Sequence, residues 1–462
     1  MLLTYQDYLT AVEKGKQLTF IRDAITNHRN SDGFKMAEIA DEYDAQRNVT
    51  INDAVRRIYS LTGVAVEDFT ASNNRIASNF FKRLITQRCT YSLGNGLTFN
   101  TDGINEKLGD QFDTDLYQLA YNALKHGVGF GFWNVDRLHI FPLTEFVPLF
   151  DESDGTLRAG IRFWSLDWKQ KPVYAVLYEE DGYTKYRSKG KSGLALEETE
   201  PKRAYRQTIA STVAGGDEVI GEDNYGSLPI VPLWANKAKQ SCLVGMRAAI
   251  DSYDLIQSGF ANDLTDCAQV YWLIGNALGM EDADVQKFMD RLRLSHVAVA
   301  DTDNSTVTPY TQEPPYNARD AYLNRIANSI YRDFGAFNPE DVAAGAITAT
   351  QINAAYQPMD EEADAFEYQV IEFVQQILRL NGLEGMPQFK RNRISNQTEQ
   401  VTNVIQEAQF LDDQTILELL PNITPDMIPE ILARRDAQDS VRFEDEPEGQ
   451  NSPIQTTEET VV

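Results

Sequence analysis

Three stretches carry residue types that do chemistry elsewhere, and each fails on spacing. Gly190-Lys191-Ser192 has the closing residues of a phosphate-cradling loop, in which backbone N–H groups hold the phosphates and the lysine reaches across them. That loop needs a glycine five positions before Gly190, where Lys185 stands, and it needs a buried strand ahead of it and a helix behind. The surroundings are polar and rich in Gly and Ser, so a solvated basic turn fits better. Gly127-Val-Gly-Phe-Gly131 runs on into Phe132, with no strand–helix crossover to follow, and so does not complete a dinucleotide fingerprint. Strand glycines that permit close backbone packing are the expectation there. Asp301-Thr-Asp303-Asn-Ser305 begins like a calcium loop but lacks both the glycine and the terminal glutamate.

The four histidines, His28, His126, His139 and His296, are scattered, with no cysteine or carboxylate at ligand spacing. There is no Gly-x-Ser-x-Gly elbow and no Cys/His pairing. No catalytic, cofactor-binding or metal-binding residue is therefore expected, and the chain is expected not to be an enzyme. Cys89, Cys242 and Cys267 are odd in number and far apart, which argues against a disulfide framework and for folding in a reducing cytoplasm. The N-terminus has no basic segment and apolar run of a signal peptide, and the run from Val270 to Met280 is too short to span a bilayer. No membrane is expected as a partner.

With 42 Lys plus Arg against 69 Asp plus Glu, the 462 residues carry a net charge of −27. A field of that sign repels phosphate and argues against tight, non-specific DNA binding over most of the surface, though not against DNA sliding past.

The elements that would position any site follow from periodicity. Residues 1–90 read as mostly helical, with helical spacing over Ile51–Tyr59 and again over Asn74–Thr90. Residues 128–235 carry short aromatic and β-branched runs separated by turns, an antiparallel meander in which Lys185–Glu222 reads as a surface excursion. From Leu243 the apolar positions Met246, Ile250, Tyr253, Ile256, Phe260, Leu264 and Cys267 recur in steps of three or four, a narrow seam on one long helix. The opposite face holds Arg247, Asp251, Asp254, Asp263 and Asp266, and is expected to meet a lumen or solvent. A short helix (Ala283–Leu292), a strand (His296–Ala300), a helix over Arg319–Phe334, a third long helix over Thr350–Leu380, a strand over Gln388–Ile394 and two short helices across 397–436 complete the pattern. From Asp439 seven acids stand against Arg442 alone, the composition of a disordered tail.

The order of these parts resembles the portal proteins of long-tailed, double-stranded-DNA bacteriophages. Asn74-Arg-Ile-Ala-Ser-Asn-Phe-Phe-Lys-Arg-Leu-Ile-Thr-Gln-Arg-Cys-Thr-Tyr-Ser-Leu-Gly-Asn95 is similar to that family's Asn…Lys…Tyr-x-Leu-Gly-x-Pro segment, with Gly96 where Pro is usual. Phe146-Val-Pro-Leu-Phe-Asp, Tyr225-Gly-Ser-Leu-Pro-Ile-Val-Pro-Leu and Ile250-Asp-Ser-Tyr-Asp-Leu-Ile-Gln-Ser-Gly-Phe-Ala-Asn-Asp263 continue the likeness over about 50–438. After the small-residue loop the family often has Ser-Gly-x-Ala-Leu, where this chain has Ala344-Gly-Ala-Ile-Thr-Ala-Thr.

The resemblance implies an α+β, mainly helical phage-portal fold. A wing with helical N-terminus and antiparallel β region would occupy 1–240, with 349–394 as a kinked long helix and strand returning to it. Stem helices would lie at 241–271 and 316–334, a small α/β clip at 272–315, a tunnel loop at 335–348 and a helical crown at 395–438, followed by the acidic tail at 439–462. It implies a virion component at one capsid vertex, assembled in the host cytoplasm as a ring, a dodecamer in the virion. Its partners would be copies of itself, DNA in transit, a terminase ATPase, scaffolding and major capsid proteins, and a head–tail adaptor. Gly335, Ala336, Phe337, Asn338, Glu340, Asp341 and Val342 would line the channel, with Phe337 and Val342 as neutral contacts. Met246, Ile250, Tyr253, Phe260 and Leu264 would be the subunit-contact seam. Two alternatives stay open at this point: another ring-forming head–tail connector component, and an acidic intracellular enzyme whose site is assembled from scattered residues.

Overall fold

In the computed structural model the described residues are 3–59, 63–68, 72–165, 172–188, 196–211, 217–267, 271–275, 286, 306–310, 316–339, 349–393, 401, 404–420, 423 and 427–435. They fall into two compact units, Met1–Asp341 with Tyr356–Asn392, and Val342–Ala355 with Arg393–Val462.

The first unit opens with helices α1 (Tyr5–Glu13), α2 (Gln17–Arg29), α3 (Asp32–Asp44) and the single turn α4 (Val49–Asn52). Thr4 caps α1 in a reciprocal box with Asp7, and Ser31 caps α3 by accepting from the Phe34 N–H, so two helix starts satisfy their own orphan donors. A small hairpin follows, β1 (Arg57–Tyr59) with β2 (Ala65–Glu67), then α5 (Phe80–Leu93), β3 (Leu97–Phe99), α6 (Ile104–Leu108) and α7 (Phe112–His126). Strands β4 (Val128–Asn134), β5 (Arg137–Pro142), β6 (Phe146–Phe150), β7 (Leu157–Ser165), β8 (Val173–Glu179), β9 (Gly182–Ser188), β10 (Leu196–Arg203), β11 (Arg206–Ser211), β12 (Asp217–Asp223) and β13 (Ile230–Trp234) come next. Among the described residues they form an antiparallel five-stranded sheet ordered β10-β9-β8-β7-β6, a three-stranded sheet ordered β13-β4-β5, and the hairpin β11–β12.

The period-two alternation of the strands builds the layers. Ala159, Ile161 and Phe163 of β7 and Ala175 and Leu177 of β8 face α1 and α2, against Tyr8, Phe20, Ile21 and Ile25. The intervening Val176 and Tyr178 face the three-stranded sheet, where Phe130, Phe132 and Phe141 meet Phe146. That second sheet turns its other face, through Trp133, Leu138, Val231 and Leu233, onto a helical core of α5 and α7. Gly131 lies on this side, and a Cβ there would stand 2.6 Å from Cζ of Phe373. The strand glycines thus permit close packing.

The long elements follow: α8 (Arg247–Cys267), the antiparallel pair β14 (Tyr271–Gly275) and β15 (Thr306–Tyr310), α9 (Tyr316–Phe334), α10 (Ala349–Leu380) and β16 (Pro387–Phe389), which pairs with β3. From Tyr356 onward α10 places Phe366, Val370, Phe373, Val374 and Ile377 in the helical core. The second unit holds α11 (Asp413–Leu419), capped by Asp412 and joined by an Arg435–Asp413 ion pair of 2.9 Å.

Two expectations from periodicity fail. The stretch 51–59 is a helical turn followed by a strand, and α5 begins at Phe80, with residues 72–79 outside any helix. Lys185–Glu222 carries strands β10 to β12, and the hairpin β11–β12 leaves Ile209, Val219 and Ile220 exposed. The expected helix Ala283–Leu292, save Gln286, and the strand His296–Ala300 lie outside the described residues, as do Gly190-Lys191-Ser192 and Asp301–Ser305.

Candidate functional site

Two of the four sequence segments that carried the resemblance, Asn74–Asn95 and Ile250–Asp263, lie side by side. The backbone N–H groups of Asn74, Ile76 and Ser78 donate to Asn262 Oδ1 at 2.6 Å, Ser258 Oγ at 2.9 Å and Asp254 Oδ1 at 2.9 Å. Residue numbers rise along one partner and fall along the other, so 74–78 is a strap antiparallel to α8. The spacing is dictated by geometry: two extended residues advance about 6.6 Å, and four helical residues about 6.0 Å. Every second amide of the strap therefore meets every fourth side chain of the helix. On its other flank the strap is held by Gln46 Nε2, which donates to the Ala77 carbonyl at 2.9 Å, and by Asn48 Nδ2, which donates to the Ser78 carbonyl at 3.2 Å.

This overturns the assignment of the acidic face of α8 to a lumen or solvent. Asp254 is fully buried and accepts from Asn48 as well as from Ser78. Burial pushes its carboxyl above the usual carboxylate range, with the Ser78 and Asn48 donors pulling the other way. Asp251 accepts from the Tyr43 hydroxyl and from Thr50 Oγ1, and Asp263 pairs with Arg319 of α9. A helical wheel gives which residues share a face but not what that face meets.

The α8–α9 pair is fastened by the Asp263–Arg319 ion pair and by Phe260, whose ring meets Tyr316 edge-on at 5.6 Å. Burial fades along the expected contact seam. Met246 at 7% and Ile250 at 0% exposure belong to the chain's own core, Tyr253 is half-buried edge-on to Phe80, and Leu264 is 45% exposed. Met246 and Ile250 are therefore spent inside the chain and leave the set that faces a neighbour.

After α9 the chain turns at Gly335 (φ +65°), where a Cβ would stand 2.7 Å from Cγ of Glu362 and 3.1 Å from the Pro358 carbonyl oxygen. Phe337 is 4% exposed and stacks on Tyr356 at 4.4 Å and 8°, which removes it from the expected channel contacts. Ala336 is half-buried against the helical core, and the buried Asn338 donates from Nδ2 to Asn328 Oδ1 at 3.1 Å. Glu340, Asp341 and Val342 lie outside the described residues. Two side chains of α5 hold this root, Gln87 and Arg88; nothing in their spacing marked them beforehand, since their partners are carbonyls some 250 residues away in sequence. The triplet Asp254, Ser258, Asn262 at strict steps of four was the available signal for the strap.

Among the described residues no group of three His, Cys, Asp or Glu side chains is placed to hold a metal ion, and no helix is long and apolar enough to cross a membrane.

Known proteins are similar to this chain in sequence. The portal protein of Bacillus phage SPP1 is 24% identical over 381 residues, covering 76% of this chain and 73% of the relative. That of Clostridium phage phiCD119 is 21% identical over 387 residues, covering 76% and 82%. Among solved structures, a chain from the neck of an empty GTA particle computed with C6 symmetry gives a TM-score of 0.44 at 10% identity, covering 75% of this chain and 91% of that one. The family model for phage portal proteins of the SPP1 Gp6-like type matches residues 22–441, a span that takes in the strap, both paired helices and the loop root, and the chain belongs to that family.

Proposed function

We propose that the protein is one subunit of the ring at a single capsid vertex of a tailed phage, the channel through which double-stranded DNA is packaged, retained and ejected. The observation that carries this is the family match running unbroken through the strap, α8, α9 and the loop root. The charge balance of −27 supports it, since a wall that repels phosphate lets a duplex slide without deep binding minima. The family is a structural one, and energy for packaging comes on this reading from a separate terminase ATPase docked on the clip, residues 272–315. Scaffolding and major capsid proteins and a head–tail adaptor are the further partners, and the ring in the virion is a dodecamer. Residues 1–240 with 349–394 act as wing, α8 and α9 as stem, 395–438 as crown, and Glu340, Asp341 and Val342 as the part of the loop nearest DNA.

The fading seam on α8 supports the subunit contact. The same face that starts in the chain's own core continues past it to Leu264, where a neighbouring copy provides the cover. Negative-stain images of the purified protein should show rings with a central hole, and Leu264→Asp should reduce the ring fraction in native mass measurement while the protomer stays folded. A compact monomer or dimer in the wild type sinks the portal reading. Wild-type ring abundance in the variant removes this face from the contact.

A further inference from the structure

We infer that Gln87 and Arg88 of α5, together with the Phe337–Tyr356 stack, form a latch that fixes Gly335–Asn338, the root of the 335–348 loop, against α5 and α10. Gln87 Nε2 donates to the Phe337 carbonyl at 2.9 Å. Arg88 Nη2 donates to the Phe334 carbonyl at 2.5 Å, one of the last carbonyls of α9. The same guanidinium lies 4.1 Å from the centre of the Phe334 ring and 3.1 Å from Glu362 Oε2 of α10. One planar cation thus joins three elements, which a lysine ammonium cannot do in the same geometry.

The aromatic part continues the tie. Tyr356 stacks on Phe337 on one side and stands 5.8 Å and 12° from Tyr91 on the other. Tyr91 donates to Asp360 at 2.5 Å, and Asp360 also accepts from Arg391, which pairs with Glu367 as well. The loop root is therefore connected through α5 and α10 to Arg391, two residues past β16. Gln87 and Arg88 are positioning residues: they hold the Phe337 and Phe334 carbonyls and so fix the end of α9 and the residues that follow it. The purpose of the latch rests on the portal reading; its existence does not.

The test uses Gln87→Ala, Arg88→Lys and the double variant in the full-length protein. Hydrogen exchange at Gly335 and Ala336, whose N–H groups bond to the Arg332 and Tyr331 carbonyls, should be about tenfold faster in the double variant, with α7 unchanged. Ring abundance should stay at the wild-type level, and DNA packaged per head should fall. Exchange within twofold of wild type overturns the latch. Faster exchange with normal packaging and ejection keeps the latch and overturns the loop's part in DNA passage.

Discussion

Replacing Asp254 by alanine removes the acceptor of two donors at once, the Ser78 N–H and Asn48 Nδ2, in a site closed to water. Hydrogen bonds to a charged group contribute about 1.5–3 kcal/mol each, and an orphaned buried donor costs about 1–3 kcal/mol. Burial of the carboxylate offsets part of this. The raised carboxyl pKa states that offset. A group whose folded pKa lies above its unfolded value stabilises most below about pH 4 and loses that contribution as pH rises through the folded pKa. At neutral pH the ionised group is thus a burden that its donors reduce without outweighing, and the cost of Asp254→Ala is that of the donors left without their acceptor. A net loss of about 3 kcal/mol in strap docking is expected, or an exchange rate at the Ser78 amide about 150 times faster. Asn262→Ala removes one neutral bond, and Ser258→Ala removes one of 2.9 Å with a long one of 3.5 Å to the Ile76 carbonyl, so the Asn74 and Ile76 amides should speed up only about fivefold. Asp254→Asn keeps an acceptor for Ser78 and sheds the charge, and should stay within about 1 kcal/mol of wild type. Site-resolved hydrogen exchange at one fixed protein concentration is the assay, because assembly itself stabilises the fold. Equal acceleration in all four variants, or acceleration spread evenly over the whole chain, refutes the pairwise strap.

Acid should loosen the N-terminal helices through His28. Its Nε2 lies 2.8 Å from the Leu143 carbonyl, its Nδ1 is buried without a partner, and burial holds its pKa below the ordinary value. The neutral ring's stabilisation is full above about pH 6.5 and is lost as pH falls from there towards the folded pKa, so His28→Gln should flatten the stability slope between about pH 7 and 5; identical slopes count against it. Gly131→Ala should cost about 1–3 kcal/mol by overpacking against Phe373, and Phe373→Leu in the same chain should recover part of that in urea unfolding.

The sequence by itself determined the elements whose periodicity is long or strict: the seam that became α8, the run that became α9, the third long helix, and the aromatic alternation that became two stacked sheets. It also determined that two motifs are incomplete, because a phosphate loop or zinc site needs fixed spacings that can be checked by counting. Only the tertiary structure decided partners. Residues 74–79 have helical spacing, yet they lie outside any helix, because three polar side chains on α8 accept from their backbone more favourably than an isolated helical turn would reward them. Asp251 and Asp254 looked like a solvated face until Tyr43, Thr50, Asn48 and the strap covered it. Phe337 looked like an exposed loop residue until Tyr356 stacked on it. In each case the deciding contact joins residues far apart in the chain, and a pattern confined to one window cannot carry the free energy of a surface supplied from elsewhere.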